Sequence, residues 1–124
     1  REHGLQSVFI VSELTPPQRM RQVCRRTSGF VYVVSRLGVT GARSSLESAV
    51  TRTLARLRRE TRKPLCVGFG VSKPQHVRQL KAAGADGAIV GSALVAVVES
   101  THGKPGTMLA QLRRAVRRLK AATR

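Results

Sequence analysis

Three glycine-bearing stops are the residues best suited to chemistry in this chain: Gly38-Val39-Thr40-Gly41, Gly68-Phe69-Gly70 and Gly91-Ser92. Glycine has no Cβ, so an anionic group can approach the backbone amides closely, and a helix that opens just afterwards adds the favourable field of its N-terminus. Each stop follows an apolar run. If those runs are neighbouring parallel strands, the three donor clusters and the Ser92 hydroxyl share one edge and can converge on a single phosphate. Taken singly, each glycine could be a turn residue and nothing more; three in register favour a common site. No GxGxxG opens a helix after the first strand and no GxxxxGK[ST] is present, which removes support from dinucleotide and nucleoside triphosphate readings.

Groups for acid–base, metal or redox work are sparse. The six acidic residues form no pair: Glu2, Glu47, Glu60 and Glu99 fall at helix or terminal positions, Asp86 precedes a strand at its non-catalytic end, and Glu13 is the only carboxylate expected on the active face. Cys24 and Cys66 lack metal-ligand spacing, and His3, His76 and His102 are scattered and read as surface histidines. No metal or cofactor is expected. The formal charge is +17, from 23 basic residues against six acidic ones. Such a balance attracts phosphate, on a small substrate or on RNA, but it also describes a solvated basic surface, and the four residues Phe9, Phe30, Tyr32 and Phe69 offer little stacking.

The elements that would position the glycines repeat a strand-then-helix scheme at intervals of roughly 30 residues. SVFIVS, residues 7–12, is a short β-rich run, and Thr15-Pro16-Pro17 opens a helix to about Arg26 with Met20, Val23 and Cys24 inward. FVYVVS follows Gly29 as a buried strand. Residues 36–45 then form a long glycine-punctuated loop of the kind that serves as a lid. Ser45 caps the next helix, whose Leu46, Val50, Leu54 and Leu57 line one face. A strand from Pro64 leads through Gly68 and Gly70 to a helix over Pro74–Ala83, with Val77, Leu80 and Lys81 as its stripe and Gly84 ending it. The fourth strand spans 87–91, a short apolar helix covers Ala93–Ser100, and the last helix carries Met108, Leu109, Leu112, Val116 and Leu119 inward. Strands without period-2 alternation imply a parallel sheet covered by helices: an α/β chain forming one (βα)4 segment over 1–124. No apolar run approaches a membrane span, no signal-peptide pattern precedes the first strand, and a reducing compartment is expected. The start reads as if cut from something longer.

At the glycine motifs the sequence resembles a known family. GFVYVVSRLGVTGAR (29–43), KPLCVGFGVSKPQHV (63–77) and GADGAIVGSALV (84–95) are similar to the tryptophan synthase alpha chain family, above all its plant and algal plastid forms. Only Val11–Thr15, reading VSELT where the family usually has an Ala-Pro-Thr-like sequence, departs. The resemblance implies half of a TIM barrel, with strands resembling β5 to β8, and cleavage of indole-3-glycerol phosphate to indole and glyceraldehyde 3-phosphate by a retro-aldol step. It implies a partner too, a beta chain that receives the indole and holds PLP, this chain holding none. By the same resemblance Gly41, Gly70, Gly91 and Ser92 hold the substrate phosphate and Tyr32 and Phe69 flank the indole. Arg36, Gly38 and Thr40 belong to a mobile loop, with Thr40 bracing the catalytic aspartate.

The family's acid–base pair, a glutamate on the second strand and an aspartate on the loop after it, lies in the half this segment does not resemble, so these residues alone are expected not to cleave the substrate. Half a barrel also leaves two strand edges open, at 7–12 and 87–91, for the other half or another chain to cover. Two further readings remain: a catalytically dead basic half-barrel that contacts RNA or serves as a structural subunit, and a half-barrel homodimer with a new acid–base pair. The expected location is chloroplast or cytoplasm, not secretion.

Overall fold

The computed structural model describes residues 3–35, 43–68 and 70–124, with residues 43–48 described by their helical backbone. Four strands form one parallel sheet in the order β1 (Phe9–Val11), β2 (Val31–Val34), β3 (Leu65–Gly68) and β4 (Gly87–Ala88). Helices α1 (Pro17–Arg26), α2 (Arg43–Glu60) and α3 (Pro74–Ala82) make the crossovers, and α4 (Ser92–Ser100) and α5 (Pro105–Ala121) follow. The α/β class and the parallel order agree with the sequence. Among the described residues no helix is long and apolar enough to cross a membrane.

Partners in a parallel ladder point to the same face. Phe9, Val31 and Leu65 are in register, as are Val11, Val33, Val67 and Ala88. Of these, Val11, Val31, Val33, Leu65 and Val67 are almost wholly buried against Met20, Val23 and Cys24 of α1, Val50, Leu54 and Leu57 of α2, and Val77 and Leu80 of α3. The alternate row, Ile10, Tyr32, Cys66 and Gly87, faces the other way and is less covered, with Ile10 63% exposed. The layer is therefore packed on one face.

Several expectations need correction. The last strand stops at Ala88 rather than residue 91: the Ile89 amide still donates to the Val67 carbonyl at 2.8 Å, and two residues on, Gly91 is already the N-cap of α4. Arg43, Ser44 and Ser45 are helical, not loop, and α4 begins at Ser92. Lys81 is exposed and is not part of the α3 stripe. In α5, Leu109 and Val116 point outward, and the half-buried line is Met108, Leu112, Ala115 and Leu119, ending at the buried Ala122. The alanines at 115 and 122 complete a helical spacing that counting large apolar residues misses. Gly84 does end α3 as expected, at φ +92° with the Gly84 amide on the Lys81 carbonyl and the Ala85 amide on the Leu80 carbonyl, a Schellman closure.

The N-terminal ends of β3 and β4 are locked by Asp86. Its amide donates to the Leu65 carbonyl at 2.9 Å, while its Oδ2 accepts from the Leu65 amide at 2.8 Å and from Arg58 Nη2 at 2.6 Å. Desolvation pushes this carboxyl upward, but the Leu65 hydrogen bond and the Arg58 hydrogen bond and charge outweigh it and hold the carboxyl below its usual range. The lowered folded pKa means that this contribution is complete above the unfolded carboxyl value, about 3.9, and is lost as pH falls through the folded one. Because the side chain is 47% exposed, screening keeps the ion-pair part small. Asp86→Ala, which strands the Leu65 amide, is expected to cost about 1–3 kcal/mol in urea denaturation at pH 7. The stability gap between wild type and Asp86→Asn should narrow at pH 3.

Candidate active site

The C-terminal ends of β1 to β4 share one edge, and every described glycine stop lies there. Gly70 follows β3 by two residues, is exposed, and has φ +80°, a conformation that β-carbon-bearing residues rarely adopt. Gly91 follows β4 and caps α4 at φ −118°, with no side-chain cap on the helix. A Cβ built on Gly91 meets nothing within 4 Å. Neither its backbone angle nor its packing calls for glycine; the space above it is simply open. The exposed Ser92 begins the helix, where first-turn amides have no intrahelical acceptor. Adjacent strands lie about 4.8 Å apart, so the two glycine turns are neighbours across the sheet edge.

Beneath this edge, on the less covered face, Tyr32 crosses over Gly68. A Cβ on Gly68 would overlap the Tyr32 hydroxyl, lie 2.7 Å from its Cζ and 3.1 Å from the Ile89 Cβ. Glycine here makes room for the phenol ring. Tyr32 and Cys66 are register partners, and Gly87, next in that row, would place a Cβ 3.0 Å from the Cys66 Sγ. Burial, reinforced by Asp86, pushes the Cys66 thiol up; burial also raises Cys24, with Glu60 adding to the rise and Lys63 opposing it. Both therefore stay as thiols at neutral pH, poor nucleophiles and poor metal ligands. Among the described residues no cluster of His, Cys, Asp and Glu could hold a metal ion.

Of the residues singled out in the sequence, the structure brings Tyr32, Gly70, Gly91 and Ser92 to the same end of the sheet. Arg36, Gly38, Thr40, Gly41 and Phe69 lie outside the described residues. Glu13 stands on the same rim, at the mouth of a cavity of about 270 Å³ lined by Ser12, Leu14, Ser35, Val50 and Thr53 among others. Two of the hydroxyls in that cavity are committed: Ser35 Oγ donates to the Gly68 carbonyl at 3.4 Å and Thr53 Oγ1 to the Ala49 carbonyl at 2.9 Å. Among the described carboxylates, Glu60 reaches Arg21 at 4.0 Å, Asp86 sits at the opposite end of the sheet, and Glu99 is exposed on α4. Glu13 has no companion there among the described carboxylates.

One residue was misread. His76 is half-buried, and its Nδ1 accepts the Ser72 amide at 3.2 Å, across the turn that carries Gly70. The legible signal was its place in the first turn of α3, where a side chain can reach back over the helix start.

A family model for the tryptophan synthase alpha chain matches residues 1–124. The chain belongs to the tryptophan synthase alpha chain family. The alpha chain of Gloeobacter violaceus is 44% identical over 97% of this chain and 43% of its own length, and that of Arabidopsis thaliana 40% identical over 98% and 44%. A chain of the tryptophan synthase α2β2 complex from Pyrococcus furiosus superposes with a TM-score of 0.80 at 39% identity, covering 97% of this chain and 47% of that one. The four βα units are thus those of a tryptophan synthase alpha TIM barrel, and the chain spans less than half the length of the relatives it matches.

The Tyr32–Gly68 contact makes a direct test of this face. Gly68→Ala is expected to cost about 1–3 kcal/mol, because the ring must swing away while Ile89 limits its path. In a Tyr32→Ala background the same change should cost far less, a non-additivity measurable by denaturant titration.

Proposed function

We propose that this chain supplies the phosphate-holding part of a tryptophan synthase alpha-type lyase, which cleaves indole-3-glycerol phosphate to indole and glyceraldehyde 3-phosphate. The observation that carries the reading is Gly91, a glycine with an ordinary φ and open space where a Cβ would be, at the uncapped start of α4 beside the exposed Gly70 turn. The fold makes no demand for glycine there, and the open space beside the helix start leaves room for an anion. Gly41, Gly70, Gly91 and the Ser92 hydroxyl hold the phosphate in this reading, with the amides at the start of α4 as donors. Tyr32 and Phe69 flank the indole, and Arg36, Gly38 and Thr40 belong to the loop that closes over it.

Carbon–carbon cleavage needs proton transfer at two positions, work for two placed carboxylates. Among the described carboxylates Glu13 stands alone on the active rim and does not supply a pair, so in this reading the acid and base come from outside the described residues. The open β4 edge and the apolar recess of about 420 Å³ beside it, lined by Ala88, Val90, Leu94, Val116 and Leu119 among others, are where the remaining barrel elements would pack. The α2β2 assembly of the Pyrococcus furiosus relative supports a beta chain as the partner that receives indole.

Gly91→Val tests the site in the complete protein. Stability should stay within about 1 kcal/mol of wild type, since the new side chain meets open space. Glycerol 3-phosphate affinity, measured by calorimetry, should fall at least tenfold; unchanged affinity would sink the assignment.

A second reading rests on residues 100–124, which carry seven basic residues and no acidic one, with Arg113, Arg114, Arg117 and Arg118 exposed on α5. Like charges at i, i+4 repel within a helix and would be relieved by a polyanion. Under this reading RNA binds α5, and log affinity falls steeply and linearly with log salt. No retention at 50 mM salt, or no loss when the four arginines become glutamine, would remove it.

A further inference from the structure

The turn from β3 to α3 has two fixed points immediately after a glycine. Val71 is 2% exposed and anchored in the core, and the Ser72 amide is held by His76 Nδ1 at 3.2 Å. Gly70, just before them, has no side chain to hold its own peptide planes, so their orientation is inherited from Val71 and Ser72. The α3 helix has Lys73 as its N-cap, Pro74 as its first residue and no side-chain cap of its own. His76 is the third helical residue, where a capping box places a Glu or Gln that reaches back to the backbone.

The chemical identity of the acceptor matters at this place. A glutamate would satisfy the Ser72 amide equally well and suit the helix N-terminus, but it would put a full negative charge beside the turn that is to receive a phosphate. An imidazole whose Nδ1 accepts a hydrogen bond is unprotonated at that nitrogen and carries its proton on Nε2, so it is neutral. It closes the turn without repelling an anion. By occupying the Ser72 amide it also takes that donor out of reach of a ligand.

We infer that His76 is a positioning residue for the substrate phosphate: it holds the Gly70–Ser72 turn in its anion-receiving shape through an uncharged acceptor, without touching the phosphate. The inference rests on the phosphate reading of Gly70 and Gly91 given above.

Three substitutions in the complete protein test it, read by glycerol 3-phosphate calorimetry and by the separate KM and kcat for indole-3-glycerol phosphate. His76→Gln keeps a neutral acceptor and should stay within about twofold of wild type. His76→Ala removes the acceptor and should raise KM and the glycerol 3-phosphate Kd three- to twentyfold, with kcat changed less than threefold. His76→Glu keeps the acceptor but adds charge, and should bind glycerol 3-phosphate at least fivefold more weakly than His76→Gln, by a margin that shrinks in 0.5 M salt. Should His76→Ala fail to fold, the Gln–Glu comparison alone decides. Equal affinities for His76→Gln and His76→Glu, or a folded His76→Ala that binds like wild type, would overturn the inference. If Gly91→Val abolishes phosphate binding while those outcomes occur, only the role of His76 falls; if Gly91→Val leaves binding intact, the phosphate reading falls and this inference with it.

Discussion

A parallel sheet has to be covered on both faces, because its connections run over the surface as helices and its strands bury side chains to either side. Here that constraint is met on one face only. Val11, Val31, Val33, Leu65 and Val67 are sealed under α1, α2 and α3, while the row from Ile10 through Tyr32 and Cys66 to Gly87 is left partly open. In a closed barrel that second row is interior, filled by layers of side chains from opposite strands. Ile10, 63% exposed on that row, is a side chain that a closed barrel would cover.

Glycine performs three different tasks along the active edge, and sequence inspection treats them as one. Gly70 is required by its backbone angle, Gly68 by the ring of Tyr32, and Gly91 by neither. Only the last is informative about a ligand, since the first two would be glycine in any protein with this turn and this packing. A motif of glycines thus becomes a site argument once the structural demands on each have been subtracted.

The order of strands and helices, the parallel sheet and the stripes of α1 and α2 were legible because each rests on runs of large apolar residues with a single period, such as Met20, Val23 and Cys24 or Val50, Leu54 and Leu57. What was not legible depended on partners distant in sequence. The end of β4 is set by where its ladder with Val67 stops, the facing of α5 by alanines that pack closely, and the role of His76 by a backbone amide four residues away. Gly70, Gly91 and Ser92 could be picked out in the sequence as a group because strand ends in a parallel sheet share an edge, whereas Tyr32 was indicated only by the family resemblance.

The reciprocal bonds between Asp86 and Leu65 reach well beyond the end of the sheet where they are made. A ladder of two residues offers little resistance to sliding, and a slip of one residue would advance β4 by about 3.3 Å and turn each of its side chains to the opposite face. Asp86 forbids that slip by clasping both backbone groups of Leu65 before the ladder begins. The height of Gly91 relative to Gly70 is accordingly gauged from the far end of the strands, and the alignment of the active edge is inherited from a carboxylate that lies at the other end of the sheet.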